Sequence, residues 1–173
     1  VRRTIDAIDA IDAPVVLVGH SYSGMVVTEF ANHPKVRHTI YLSALWPERG
    51  QSALNLMGDV LPPALFRRDD DALEVTDDFD LAWQTFCSDL DRDSAQRLLS
   101  RFVLQSYSSC TAPSSAPQRS HPTTYVIGLH ETEGSLLGQE ASAVKADRVV
   151  RLPADHMLQL SRPDELAEVL AHV

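Results

Sequence analysis

Val15-Val-Leu-Val-Gly-His-Ser-Tyr-Ser-Gly24 is the stretch whose reading decides the fold. Its first four residues are apolar and three of them are β-branched, the pattern of a short buried strand. Gly19 breaks the strand. After Ser21 the apolar spacing becomes helical, with Met25, Val26 and Phe30. A strand that turns at once into a helix, with a serine at the corner, is the setting a nucleophile elbow needs. The tight turn strains the serine backbone and lifts its hydroxyl clear of the sheet. Small residues are required two positions to either side, because the helix packs closely on the strand. Gly19 and Ser23 fill those places, with Gly24 next, so a strict G-x-S-x-G is missed by one hydroxymethyl group. The competing reading is an ordinary strand-to-helix junction with an incidental serine. A phosphate-binding loop is disfavoured. There is no G-x-G-x-x-G or G-K-[ST], and His20 and Tyr22 stand where bare backbone is wanted.

Upstream, Val1, Ile5, Ile8 and Ile11 repeat at helical spacing and end before Pro14. Downstream, the helix after Ser21 is expected to run to about His33, where Pro34 stops it. His38 to Ala44 reads as a second strand, Thr123 to Leu129 as a third and Arg148 to Leu152 as a fourth. A helix is expected from about Leu136 to Ala146, and Pro163 opens a last one. Helices between strands imply a mostly parallel α/β sheet flanked by helices. From about 51 to 122 no strand is convincing. Phe79, Trp83, Phe86 and Leu90 form one aromatic helical face, with Thr76 or Asp77 as its cap, and Leu98, Leu99, Phe102 and Val103 mark another helix. The charged run Arg67 to Asp71 reads as a solvated turn. The expected organisation is one domain over 1–173, with a core from 1–50 and 123–173 and a helical insertion at about 51–122.

The composition supports a folded single domain: 173 residues, 44% hydrophobic, are enough to bury a core. A formal net charge of −9 leaves no basic stripe for nucleic acid. No run reaches transmembrane length and no signal-peptide pattern opens the chain. Cys87 and Cys110 show no C-x-x-C spacing, and reduced thiols are the default. A cytoplasmic protein with a small-molecule substrate is therefore expected, with neither nucleic acid nor membrane as partner; no oligomeric state is implied.

A serine alone is a poor nucleophile; it needs a base in reach, and the base needs an orienting carboxylate. In open parallel sheets the reactive groups gather beyond the carboxyl ends of the strands. His156 follows the fourth strand and is the best-placed base, with His130, after the third strand, as competitor. His20 should point away if Ser21 points in. Glu131 is the first choice of carboxylate, with Glu133 and Asp155 as alternatives. A metal site from His130, Glu131 and Glu133 is disfavoured by their short spacing and the lack of a fourth ligand, and no cofactor is called for.

Gly-His-Ser-Tyr-Ser-Gly (19–24), Tyr-Leu-Ser-Ala-Leu-Trp-Pro-Glu-Arg-Gly-Gln-Ser (41–52) and His-Met-Leu-Gln-Leu-Ser-Arg-Pro-Asp-Glu-Leu-Ala (156–167) together resemble the α/β-hydrolase superfamily, in its esterase and hydroxynitrile-lyase-like branch. The resemblance implies a parallel core sheet with a helical cap, Ser21 as nucleophile and His156 as base. Glu131 falls where such proteins usually carry aspartate. It implies an ester or related acyl substrate, cleaved through an acyl-enzyme, with the Tyr22 N–H as one oxyanion donor. Trp46, Trp83 and Phe86 are expected by position to line the pocket. Relatives carry several strands before the elbow, whereas only 14 residues precede Val15 here. The resemblance therefore implies a partial fold without those first strands. A non-catalytic binding protein or inactive fragment is the alternative from a different class. Lyase cleavage of a cyanohydrin-like bond ranks lower, since Lys35 and Lys145 lie off the expected site loops.

Overall fold

The computed structural model describes residues 1–173. The chain opens with α1 (Arg2–Asp9), β1 (Val15–His20), α2 (Ser23–Thr28) and β2 (Val36–Leu42). The insertion follows as α3 (Ala53–Leu56), β3 (Leu65–Arg67), β4 (Ala72–Val75), α4 (Phe79–Phe86), α5 (Arg92–Leu99), β5 (Gln105–Ser106) and α6 (Tyr107–Thr111). The chain then returns through β6 (Thr123–Gly128), α7 (Glu133–Ala143), β7 (Arg148–Leu152), α8 (Leu158–Ser161) and α9 (Pro163–Ala171).

The main sheet is parallel throughout, in the order β1-β2-β6-β7. Successive side chains leave a strand on opposite faces. Ile40, Leu42, Val126 and Leu152 pack on one face with Leu158, Leu166 and Val169 from α8 and α9. Tyr41, Tyr125 and Ile127 pack on the other with Val27 of α2, Ala143 of α7 and Trp46. The two buried tyrosines keep their hydroxyls paired, Tyr41 with Thr28 Oγ1 at 2.9 Å and Tyr125 donating to Ala44 O at 2.6 Å.

The structure departs from the sequence expectation in several places. The helix after the elbow ends at Thr28 and continues in tighter turns, Phe30 N–H to Val27 O and Ala31 N–H to Thr28 O. Thr28 Oγ1 donates back to Gly24 O, a bond that weakens a helix at that point. The second strand is Val36–Leu42, because Ser43 turns into the left-handed region at φ +40° and ends the ladder. The insertion, expected to hold no strand, carries a three-stranded antiparallel sheet in the order β3-β4-β5 beside its helices. Its strands are two to four residues long, too short for an alternation pattern to register. The charged run does form the turn between β3 and β4. Both cysteines are buried free thiols, and no helix is long and apolar enough to cross a membrane.

Candidate active site

Ser21 adopts φ +53°, a left-handed conformation that costs a non-glycine residue about 1–2 kcal/mol. The surrounding backbone fixes it there. Its N–H donates to Leu42 O, and its carbonyl accepts from the N–H groups of Gly24 and Leu45. Gly24 allows this approach: a Cβ at that position would stand 2.1 Å from Leu45 O. At Gly19 a Cβ would meet Val27 Cγ2 at 2.7 Å. Ser23, where the strict motif has glycine, clamps the turn instead. Its Oγ donates to His20 O at 2.6 Å and accepts from His20 N–H at 2.7 Å. The turn is thus held by main chain and by Ser23, and none of these bonds engages Ser21 Oγ.

His156 lies in the loop after β7 and Glu131 just beyond β6, so the ends of neighbouring parallel strands bring them together. His156 Nδ1 stands 3.2 Å from Glu131 Oε2, with the glutamate side chain 4% exposed. A carboxylate only accepts, so Nδ1 carries the proton and Nε2 keeps its lone pair when the ring is neutral. Ser135 Oγ also donates to Oε2. Burial alone would push the Glu131 carboxyl up, but the bond and charge of His156, with the bond from Ser135, outweigh it and hold the carboxyl below the usual range.

His20 was expected to point away, yet its ring lies 4.7 Å from that of His156 and its Nε2 donates to His156 O at 2.8 Å. Strand alternation placed it wrongly because the left-handed turn at Ser21 interrupts the alternation one residue later. Burial, together with the neighbouring His156, lowers the His20 pKa to about 4, so this ring is neutral near pH 7.

The remaining expected site residues divide. The Tyr22 N–H finds no acceptor in the main-chain network, and the Tyr22 hydroxyl donates to Ser109 O of the insertion at 3.0 Å. The Phe86 ring lies 6.2 Å from His156 and edge-on to Phe102. Trp83 packs in the same cluster as Phe86 and Met157, its Nε1–H donating to Leu90 O. Trp46 is elsewhere. It stacks on Tyr41 at 4.2 Å within the sheet core and lines a separate 240 Å³ cavity with Arg119 and Lys145. His130 and Glu133 are exposed. Asp155 does not reach the His156 ring. It accepts the His156 main-chain N–H at 2.7 Å, and from the insertion Ser88 N–H at 2.6 Å and Ser88 Oγ at 2.7 Å. Asp155 N–H in turn donates to Asp89 Oδ2, so the loop bearing His156 is tied to the end of α4. None of these hydroxyl and carboxyl tethers has a sequence pattern of its own.

A four-stranded parallel sheet with a serine elbow, and a histidine and an acid at adjacent strand ends, defines an α/β-hydrolase fold. The sequence profile of the Alpha/beta hydrolase family matches residues 1–169, and the chain belongs to that family. A carbendazim hydrolyzing esterase of Nocardioides sp. is 44% identical over 66 residues, 36% of this chain and 27% of that protein. A probable hydrolase of Phoma sp. is 27% identical over 185 residues, covering 100% of this chain and 75% of that protein. Among solved structures, a pyrethroid hydrolase from Sphingobium faniae JZ-2 superimposes with a TM-score of 0.77 at 21% identity, covering 99% of this chain and 74% of that one. Polyneuridine aldehyde esterase gives a TM-score of 0.79 at 18% identity, covering 99% of this chain and 76% of that one. These structural likenesses establish the fold. The chain spans about a quarter of the first relative's length and about three quarters of the others'.

Proposed function

We propose that the chain is a serine esterase that cleaves a small ester or related acyl compound through an acyl-enzyme. The observation that carries this reading is the pairing of a left-handed Ser21 at the elbow with His156 Nδ1 held 3.2 Å from Glu131. The names of the esterase and hydrolase relatives support the ester-cleaving class.

In the first step Ser21 Oγ attacks the substrate carbonyl while His156 Nε2 takes the hydroxyl proton. Charge develops on the carbonyl oxygen, and the unengaged Tyr22 N–H is a donor for it. The imidazolium that forms is stabilised by Glu131, which stays ionised because its bonds hold its carboxyl low. His156 then returns the proton to the departing alcohol, and the Ser21 ester remains. Water, deprotonated by the same nitrogen, attacks that ester; its collapse releases the acid and restores Ser21. Phe86 and Trp83 offer the substrate an apolar wall beside His156.

Labelling with a fluorophosphonate probe, followed by peptide mapping, tests this directly. The expected adduct is on Ser21, absent in Ser21→Ala and His156→Ala. Turnover of short-chain nitrophenyl esters is expected to fall roughly 10³–10⁴-fold in Glu131→Gln. A wild-type chain that is folded by circular dichroism and takes no label would sink the reading.

A further inference from the structure

β2 and β6 run side by side, and near their ends two buried oxygens without partners both approach Gly128. Ser43 follows the last residue of β2. Its N–H still donates to Val126 O at 2.9 Å, while φ +40° turns the chain away. The residue is 5% exposed and its Oγ has no hydrogen-bond partner. Across from it, Glu131 Oε1 is also buried and unpartnered. Both oxygens flank the bare Cα of Gly128: a Cβ there would stand 3.1 Å from Ser43 Oγ and 3.1 Å from Glu131 Oε1. The other carboxylate oxygen is fully engaged, by His156 Nδ1 and Ser135 Oγ.

The chemistry of the pair is complementary. A carboxylate oxygen can only accept, and a serine hydroxyl carries a proton that swings about its C–O bond. Buried polar atoms nearly always find partners, and both of these lie against the same glycine. Glutamate also has one more rotatable bond than aspartate. A carboxylate held through one oxygen alone can pivot about that contact; a donor on the second oxygen removes the pivot.

We propose that Ser43 is a positioning residue whose hydroxyl donates to Glu131 Oε1, fixing the carboxylate so that Oε2 meets His156 Nδ1. The proposal rests on the Ser21–His156–Glu131 reading given above. Ser43 acts through Glu131 and touches no substrate. Gly128 belongs to the same device, because any side chain there would part the two oxygens.

The test uses Ser43→Gly, since glycine accepts the left-handed backbone at this position without strain, and Ser43→Ala as a second hydroxyl-free variant. Each is made in the wild-type and in the Glu131→Ala background. The readouts are the rate of fluorophosphonate labelling at Ser21 and the ¹H resonance of His156 Nδ1–H, with thermal unfolding as the folding control. Loss of one hydrogen bond to a charged group is expected to slow labelling about tenfold where Glu131 is present. Where Glu131 is alanine the same change is expected to slow it less than about twofold, because no carboxylate remains to be positioned. The Nδ1 proton is expected to move upfield in Ser43→Gly. Equal losses in both backgrounds would make Ser43 merely structural and overturn the proposal, as would an unchanged labelling rate in a folded variant. If wild-type Ser21 takes no label, the triad reading fails separately. The Nδ1 resonance still decides Ser43: an unmoved signal refutes it.

Discussion

Every helix in the insertion begins with a side-chain cap, whereas no helix packed on the main sheet has one. Ser52, Asp78, Asp91 and Ser106 accept main-chain N–H bonds at the starts of α3, α4, α5 and α6. The first residues of α1, α2, α7, α8 and α9 have no such bond. The insertion's helices run four to eight residues, too short to persist on intrinsic propensity. Local caps define where they start. The core helices are placed by burial against the parallel strands, α9 through Leu166 and Val169, α2 through Val27. One region is specified by neighbours in sequence and the other by close approach across the fold. The proposed triad belongs to the second, and the insertion reaches it through Phe86 and the Ser88–Asp155 tether.

If that contrast is right, damage to a close approach in the core should far exceed damage to a cap. Gly24→Ala drives a methyl group into Leu45 O and is expected to destabilise by about 4 kcal/mol or prevent folding, measured by urea denaturation. A loss under about 1 kcal/mol would mean the elbow is pliable and the contrast false.

A second effect separates the regions by pH. The folded pKa of His20 is lowered to about 4 from 6.5, so the unfolded chain binds the extra proton between those values. This contribution is complete above about pH 6.5 and declines as pH falls towards 4. At pH 5 roughly 2 kcal/mol of it is gone. His20→Gln should flatten that part of the stability curve between pH 7 and pH 5. In the insertion, Asp91 and Asp71 are held below the usual carboxylate range by bonds from Ser94 and from Ser108 and Ser106, so they remain ionised at pH 5. An undiminished decline in His20→Gln would place the sensitivity elsewhere.

The smallest effect belongs to the caps. Asp91→Ala is expected to cost about 1 kcal/mol, and hydrogen exchange should rise in α5 while the amides of β1 and β2 keep their protection. A loss of protection in the main sheet would show that the two regions unfold as one.

What the sequence made legible follows the same division. β7 is legible to the residue, and the meeting of His156 with Glu131 follows from their places after adjacent strands, because parallel α/β sheets gather such groups at strand ends. The sequence places β2 two residues late, since nothing in Tyr-Leu-Ser-Ala announces that Ser43 turns left-handed. β3 and β4 are too short for an alternation to register, and β5 escapes because Ala72 pairs with Ser106 across more than thirty residues, a contact without a local pattern. The cap of α4 is Asp78, one or two residues beyond Asp77 and Thr76, in a run where several side chains are suited to the role. Trp46 looked like a pocket residue from its place after a strand, but its ring turns back onto Tyr41. The hydroxyls of Ser43 and Ser135 gave no signal, because serine occurs in every kind of loop.

The stack around Trp46 also has an optical consequence. The chain has two tryptophans, one in each region. Trp46 is 8% exposed, faces Tyr41 at 4.2 Å, and carries Lys145 and Arg119 5.0 and 5.5 Å from its ring centre. Trp83 lies on α4 beside Phe79, with the Arg92 guanidinium 5.1 Å from its ring. An indole shielded from water emits further to the blue than a hydrated one, and ring stacking with a nearby ammonium alters its brightness. Trp83→Phe therefore leaves a single emitter that reports the sheet, and Trp46→Phe leaves one that reports the insertion. Each region thus has its own indole, and comparing the two single-tryptophan variants gives the order in which the regions open.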